Sequence, residues 1–203
     1  MLAYDYVPYA LKTFFQDHPR VALAFSGGCD SSYVLACAIA CKVDVKVFLV
    51  RTQFQYAFEL DDAKWVANDL GVSFEVVDVD ILSDEDVASN PPDRCYFCKR
   101  RIFGSILDRA QSLGITTLID GTNATDDPSR RPGFRALEEY GVLSPLRIAG
   151  LSKDEIRSLS RQAGLITADK PNYSCLATRI PEGERIEIDK LRNLSQEDWL
   201  DRS

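Results

Sequence analysis

Apolar positions along the 203-residue chain follow two alternating rhythms. The first is a set of short apolar-rich runs: residues 21–25, 45–50 (Val-Lys-Val-Phe-Leu-Val), 73–77 (Ser-Phe-Glu-Val-Val) and 116–119 (Thr-Thr-Leu-Ile). Runs of this length bounded by polar residues predict half-buried or buried strands. Between them, apolar residues recur every three or four positions. That spacing predicts helices over 4–16, 31–41, 58–70 and 96–113, the last with Ile102, Phe103, Ile106, Leu107, Ala110 and Leu113 on one face. Asp5 is a candidate cap for the first helix. Gly71 and Gly114 stand where a left-handed residue would end the third and fourth. Ser152-Lys-Asp-Glu155 is a capping box opening a further helix to Ala163, with Gly164 as its stop. Strands alternating with helices predict an α/β fold, a doubly wound parallel sheet with helices on both faces. Ligands of such sheets sit beyond the carboxyl ends of the strands. The loops after the first, second and fourth strands are therefore site candidates.

The first of these loops reads Ala24-Phe25-Ser26-Gly27-Gly28-Cys29-Asp30-Ser31-Ser32. Glycines lack a Cβ, so backbone N–H groups here can close on an anion, which the N-terminus of the following helix also favours. No lysine follows the glycines, so this is not the GxxxxGK[ST] loop that grips a γ-phosphate. The plain alternative is a tight turn between strand and helix. Two connections are long, residues 78–95 and 164–185, and both carry cysteine. Loops of that length in a compact domain are usually functional or mobile.

Cys95-Tyr-Phe-Cys98 at a predicted helix start sets two thiols about one turn apart, where the helix dipole lowers a thiol pKa. A redox dithiol would need a thioredoxin-like context, which is missing, and structural zinc would want a second CxxC, which is also missing. Packing thiols fit poorly beside Pro91, Pro92 and Asp93. The remaining reading needs a third cysteine, and Cys175 in Asn172-Tyr-Ser-Cys-Leu-Ala-Thr-Arg179 supplies it. Three thiolates on a [4Fe–4S] cluster leave one iron open. Cys29, Cys37 and Cys41 read as small apolar groups, Cys37 and Cys41 one helical turn apart beside Ala36, Ile39 and Ala40.

Composition narrows the function classes. Hydrophobic content of 45% is enough for one α/β domain with a small appendage. A formal net charge of −7 argues against an extended nucleic-acid surface. Lys99-Arg100-Arg101 and Arg130-Arg131 are local exceptions that could face solvent or grip a small anion. The single histidine, His18 in Asp-His-Pro, reads as a loop residue, which excludes histidine triads and His-rich metal sites. No apolar run is long enough to span a membrane, and the first residues lack the basic region of a signal peptide, so the expectation is a cytoplasmic protein. Six cysteines there read as thiols or metal ligands rather than disulfides.

The loop motif resembles the pyrophosphate loop of ATP pyrophosphatases. Further segments resemble the LarE family of pyrophosphate-loop sulfur transferases, in family order over residues ~20–185. They are Asn90-Pro-Pro-Asp-Arg-Cys-Tyr-Phe-Cys-Lys99, Asp120-Gly-Thr-Asn123, Arg131-Pro-Gly133, Leu143-Ser-Pro-Leu146, Leu151-Ser-Lys-Asp-Glu-Ile-Arg157, Asp169-Lys-Pro171 and Ser174-Cys-Leu-Ala-Thr-Arg-Ile-Pro181. The resemblance implies an adenine nucleotide alpha hydrolase-like (HUP) sheet and an AMP- and pyrophosphate-forming reaction. ATP adenylates a carboxylate of pyridinium-3,5-dicarboxylate mononucleotide, and sulfur displaces AMP to give the thiocarboxylate of the nickel-pincer cofactor. It places ATP on Ala24, Phe25, Ser26, Gly27, Gly28, Asp30 and Ser31, with Ser26, Gly28, Asp30 and Ser31 at the pyrophosphate end. Asp30 is also a candidate Mg²⁺ ligand, since carboxylate plus phosphate oxygens is the usual Mg²⁺ shell. Gly121, Thr122 and Asn123 would line the adenosine or acyl pocket. Arg51, after the second strand, would contact the nucleotide or be a strand-end surface charge. Cys175 aligns with a cysteine that some members sacrifice as the sulfur source. With Cys95 and Cys98 it aligns with the three-cysteine members, in which a sulfide on the open iron of a [4Fe–4S] cluster is transferred. Lys99 and Arg179 beside these cysteines would stabilise phosphate charge in catalysis or balance an anionic cluster. Asp126 and Asp127 resemble the family's acidic pair, shifted by one inserted residue.

Residues 1–166 are thus expected to form the pyrophosphate-loop domain. Residues 167–203 would hold the cysteine-bearing loop and the remnant of a C-terminal substrate and oligomerisation unit, with Leu191, Leu194 and Trp199 on a helix. Family members continue past this region, so the acceptor follows less directly than the ATP chemistry. The expected partners are a small, nucleotide-like carboxylate and further copies of the chain, with neither membrane nor nucleic acid. A tRNA thiolase or amide-forming ligase on the same loop, and a non-catalytic nucleotide- or metal-binding accessory protein, are the competing readings.

Overall fold

The computed structural model describes residues 6–200 of the chain, with the side chains of Arg130 and of residues 196–200 outside the description. Four parallel strands, β1 (Arg20–Ala24), β2 (Asp44–Arg51), β3 (Phe74–Asp78) and β4 (Leu118–Ile119), form one sheet in the order β3-β2-β1-β4. Val21 lies opposite Val45 and Ala22 opposite Leu118. The longer helices are α1 (Tyr9–Asp17), α2 (Cys29–Ala40), α3 (Ala57–Asp69), α5 (Arg94–Ser112), α8 (Lys153–Gln162) and α9 (Ile188–Leu200). The shorter ones are α4 (Glu85–Ala88), α6 (Phe134–Glu139) and α7 (Pro145–Ile148).

Alternation along the strands decides which helix goes where, because successive side chains point to opposite faces. Val21, Leu23, Val47 and Leu49 pack on one face against Leu11 of α1, Val34 and Cys37 of α2, Val66 of α3 and Ile156 of α8. Ala22, Phe48 and Val50 pack on the other against Phe103 and Ile106 of α5, joined by Leu176, Ile180, Ile186 and Leu191 of the last segment. The expected doubly wound sheet is therefore present. The chain runs outward from β1 to β3 on one face and returns by α5 to β4, which puts the switch in strand order between β1 and β4. A ligand cleft is expected at that switch.

Among the described residues the first helix runs from Tyr9 to Asp17, after Pro8, which disfavours a helical Val7; the expected start at residue 4 and its cap Asp5 lie outside the described residues. Only Leu118 and Ile119 of the expected fourth strand count as strand, although the Thr117 carbonyl still accepts from the Ala22 N–H at 2.8 Å. The capping box at Ser152 and Glu155 forms as read, and Gly71, Gly114 and Gly164 all take positive φ. Helices α4, α6 and α7 span four to six residues, too few for a helical period to show.

Tyr33 on α2 is fully buried, and its hydroxyl donates to the Tyr6 carbonyl at 2.6 Å. Burial pushes the pKa values of Tyr33 and its neighbour Cys37 well above their ordinary range. The folded chain keeps both protons where the unfolded chain releases them, so stability falls as pH rises past about 9–10. The urea midpoint is expected to hold between about pH 7 and 8.5 and to drop by about pH 10.5, with a smaller drop in Tyr33→Phe. A midpoint flat to about pH 10.5 would contradict this assignment.

Candidate active site

The turn after β1 fits only glycine at its centre. Gly27 has φ +69°, and a Cβ there would stand 2.8 Å from the Ala63 Cα, so the turn packs directly on α3. Gly28 takes the cap position of α2 and so brings no capping side chain to the helix N-terminus. The loop closes on itself through the Ser26 and Ser31 hydroxyls, 3.0 Å apart, while the Gly28 N–H reaches Ser26 Oγ at 3.3 Å. The result is a positive helix end with loosely engaged donors, suited to an anion.

The loop after β4 completes the cradle. A Cβ on Gly121 would lie 2.8 Å from the Ser31 backbone nitrogen, so this loop touches the first turn of α2. The contact places Asn123 beside Asp30, its Nδ2 donating to Asp30 Oδ2 at 3.2 Å. Lys153, the first residue of α8, donates to the other oxygen, Oδ1, at 2.7 Å. Asp120 is buried, with Oδ1 accepting from the Thr122 N–H at 3.1 Å and from Ser144 Oγ at 2.7 Å. These elements enclose a cleft of about 690 Å³ at the switch between β1 and β4. Four cations line it: Lys99, Arg131, Lys153 and Lys170.

Of the residues singled out from sequence, Ala24, Ser26, Gly28, Asp30, Ser31, Lys99, Gly121, Thr122 and Asn123 line this cleft. Phe25 instead packs in the core against Phe74, and Gly27 supports the loop from below. Arg51 pairs with Asp78 across β2 and β3 through two hydrogen bonds, the nearer at 2.5 Å, which holds the Asp78 carboxyl below its usual range. Arg51 borders a smaller cleft of about 270 Å³ that shares Ser26 and Glu59 with the larger one and adds Tyr56. Arg179 is exposed on a 3₁₀ turn and does not line the large cleft. Asp126 lines it in an ion pair with Arg131 at 2.6 Å, whereas Asp127 caps Ser129. His18 ends α1, its Nδ1 2.8 Å from the Phe14 carbonyl oxygen.

The main omissions from the sequence reading are Lys153 and Lys170. Both lie in segments that resemble the family, Lys153 in a capping box as well, but neither position signals a role at the anion loop by itself. They reach the anion loop from 123 and 143 residues away, a separation no local pattern reports.

The three cysteines share one neighbourhood just beyond the cleft wall. Burial, then the nearby thiols of Cys175 and Cys95, push Cys98 up to about 12. Cys175 is exposed at the surface, yet desolvation by the protein around it raises its thiol, against the opposing pull of a backbone hydrogen bond from Ala177 and of the Arg94 charge. Arg94 is buried, donates to Cys95 Sγ at 3.4 Å, and keeps its Nη1 without a partner. The two cysteine-bearing loops are clamped together. Asn90, at φ +56°, donates through Nδ2 to the Pro181 carbonyl at 2.8 Å. The Gly183 N–H bonds the Asn90 carbonyl and the Ile186 N–H bonds the Ala88 carbonyl, both at 2.8 Å. Among the described residues, no three His, Cys, Asp or Glu side chains are drawn together closely enough to hold a metal ion. No helix among them is long and apolar enough to cross a membrane.

The sequence is similar to those of several known proteins. The asparagine synthase family profile matches residues 9–108. An uncharacterised Synechocystis protein, slr1717, is 35% identical over 188 residues, covering 92% of this chain and 70% of its own length. The chain belongs to the same family as this protein and shares the fold of pyrophosphate-loop enzymes. The pyridinium-3,5-bisthiocarboxylic acid mononucleotide synthase of Lactiplantibacillus plantarum is 30% identical over 178 residues, covering 87% of this chain and 64% of that protein. A tRNA-specific 2-thiouridylase of Frankia alni is 31% identical over 188 residues, 75% of this chain and 53% of that enzyme. The chain thus spans between about half and 70% of the relatives it matches.

Gly121→Ala is expected to force the β4 loop away from α2. It should cost about 1–3 kcal/mol in urea unfolding and weaken nucleotide binding at least about tenfold. Wild-type values for both would show that the close approach carries no function.

Proposed function

We propose that this LarE-like chain activates a small carboxylate with ATP and replaces the activated oxygen by sulfur. One observation carries the reading: Lys99 and Ser174 line the anion cleft while being chain neighbours of Cys98 and Cys175. A phosphate site and a set of thiols therefore share a wall. The relative from Lactiplantibacillus plantarum, named for a bisthiocarboxylic acid mononucleotide, supports a pyridinium dicarboxylate mononucleotide as acceptor.

In this reading the pyrophosphate end of ATP lies on Ser26, Gly28 and Ser31; Asp30, oriented by Asn123 and Lys153, would hold a Mg²⁺ ion, which would supply charge neutralisation for the phosphates. The base enters the smaller cleft near Tyr56. A carboxylate oxygen of the acceptor attacks the α-phosphorus, the bond to the β-phosphate breaks, and pyrophosphate leaves. Lys153, Lys99 and Arg131 balance the developing charge in place, which is where most catalysis of phosphate transfer originates. Lys153 is held ready on Asp30 until nucleotide and metal arrive. A hydrosulfide-level sulfur then attacks the acyl carbon, the acyl–oxygen bond to AMP breaks, and AMP, the thiocarboxylate and the proton of the hydrosulfide are released.

The donor set suits a [4Fe–4S] cluster: three thiols without a competing imidazole, beside a buried guanidinium with an unpartnered Nη1 that would balance a negative group. Cys95, Cys98 and Cys175 would hold it. When bound, the cluster supplies a site for the transferred sulfur.

The thiouridylase relative favours a second reading, transfer of sulfur to tRNA. The net charge of −7 weighs against it.

The test is an anaerobic assay for AMP and pyrophosphate with the dicarboxylate mononucleotide, and with tRNA in parallel, read by mass spectrometry for sulfur gain. Asp30→Asn is expected to cut AMP formation at least about 100-fold. Cys175→Ala should still release pyrophosphate but leave the acceptor without sulfur. AMP formation only with tRNA would favour the second reading, and none with either would refute both.

A further inference from the structure

The segment leading to Cys175 is fastened to the site from three sides. Arg157 of α8 donates to the Ala168 and Lys170 carbonyls at 2.8 and 2.9 Å. Tyr173 packs edge-on against Phe58 of α3, centroids 5.1 Å apart. The Leu176 N–H bonds the Phe54 carbonyl at 3.0 Å. At the centre stands Lys170, whose side chain is only 15% exposed. Its ammonium donates to the Gly27 carbonyl at 3.0 Å and pairs with Asp62 of α3 at 2.8 Å.

The Gly27 carbonyl belongs to the same peptide group as the Gly28 N–H. A hydrogen bond accepted by one end of a peptide strengthens donation at the other. An anion on the Gly28 N–H and an ammonium on the Gly27 carbonyl therefore reinforce each other. The effect is reciprocal: if Lys170 improves anion binding, a bound anion tightens Lys170. Pro171 follows at once and stiffens the chain towards Tyr173 and Cys175.

We propose that Lys170 is a positioning residue that couples occupancy of the anion loop to the placement of Cys175. The Cys175 segment is then ordered when the nucleotide is in place, so that the acyl-adenylate and the transferred sulfur held beside Cys175 meet. The inference rests on the ATP-dependent reading above.

Hydrogen exchange by mass spectrometry on the full chain, with and without Mg²⁺ and ATP, tests it. In the wild type, peptides covering residues 26–32 and residues 168–176 are both expected to slow about threefold or more on ligand addition. In Lys170→Met the first should still slow and the second should not; Lys170→Arg should restore it. A purely structural role would raise exchange equally with and without ligand and leave the difference intact. Lys170→Gln, neutral and too short to reach Gly27, gives the same readout if the methionine variant does not fold. Slowing at 168–176 that survives loss of the ammonium, or wild-type slowing confined to 26–32, overturns the proposal. No slowing at 26–32 in the wild type, with no heat in an ATP titration, overturns the ATP reading and this inference with it.

Discussion

The site depends on how closely the loop after β4 approaches the first turn of α2. With a Cβ at Gly121 only 2.8 Å from a backbone nitrogen, two segments from strands on either side of the switch become one surface. Asp30 inherits its surroundings from that approach. Asn123 reaches one carboxylate oxygen from the β4 loop, and Lys153 takes the other from α8. A carboxylate shared by an amide and an ammonium is fixed in orientation, so a metal would find it already aimed into the cleft.

The cleft is also an electrostatic exception. The chain as a whole carries a formal charge of −7, yet four cations line this cavity. Three of them are paired with carboxylates, Lys153 with Asp30, Lys170 with Asp62 and Arg131 with Asp126. Such pairs hold long side chains in place without leaving bare positive charge, and an arriving polyphosphate can exchange partners with them. A similar economy operates beside the thiols, where one buried arginine faces groups that ionise only reluctantly on their own.

Much of this was legible from residue order. Strand-length apolar runs, helical spacing and glycine stops located the sheet and its main helices because burial on one face imposes those periods. The anion loop was legible because a helix entered through Gly-Gly is local chemistry. The residues that escaped notice are those whose role depends on long-range closure. Lys153 and Lys170 meet the loop only after α8 and the last segment fold back on the sheet. Arg51 stands at a strand end, where sequence leaves a nucleotide contact and a surface charge equally open; it pairs with a carboxylate on the adjacent strand while bordering the smaller cleft. The short fourth strand and the four-to-six-residue helices lie below the length at which a pattern can be read.

The clamp between the two cysteine-bearing loops has a dynamic consequence. Asn90 and the backbone of residues 183–186 bind segments nearly a hundred positions apart, and Leu176, Ile180 and Ile186 bury their apolar faces in the same core as α5. Cys95, Cys98 and Cys175 thus belong to one cooperative unit rather than to two independent loops. A fluctuation large enough to release one thiol breaks the clamp and releases all three. Whatever they hold is gained or lost as a whole, on the timescale of that unit's opening and not of a side-chain rotation.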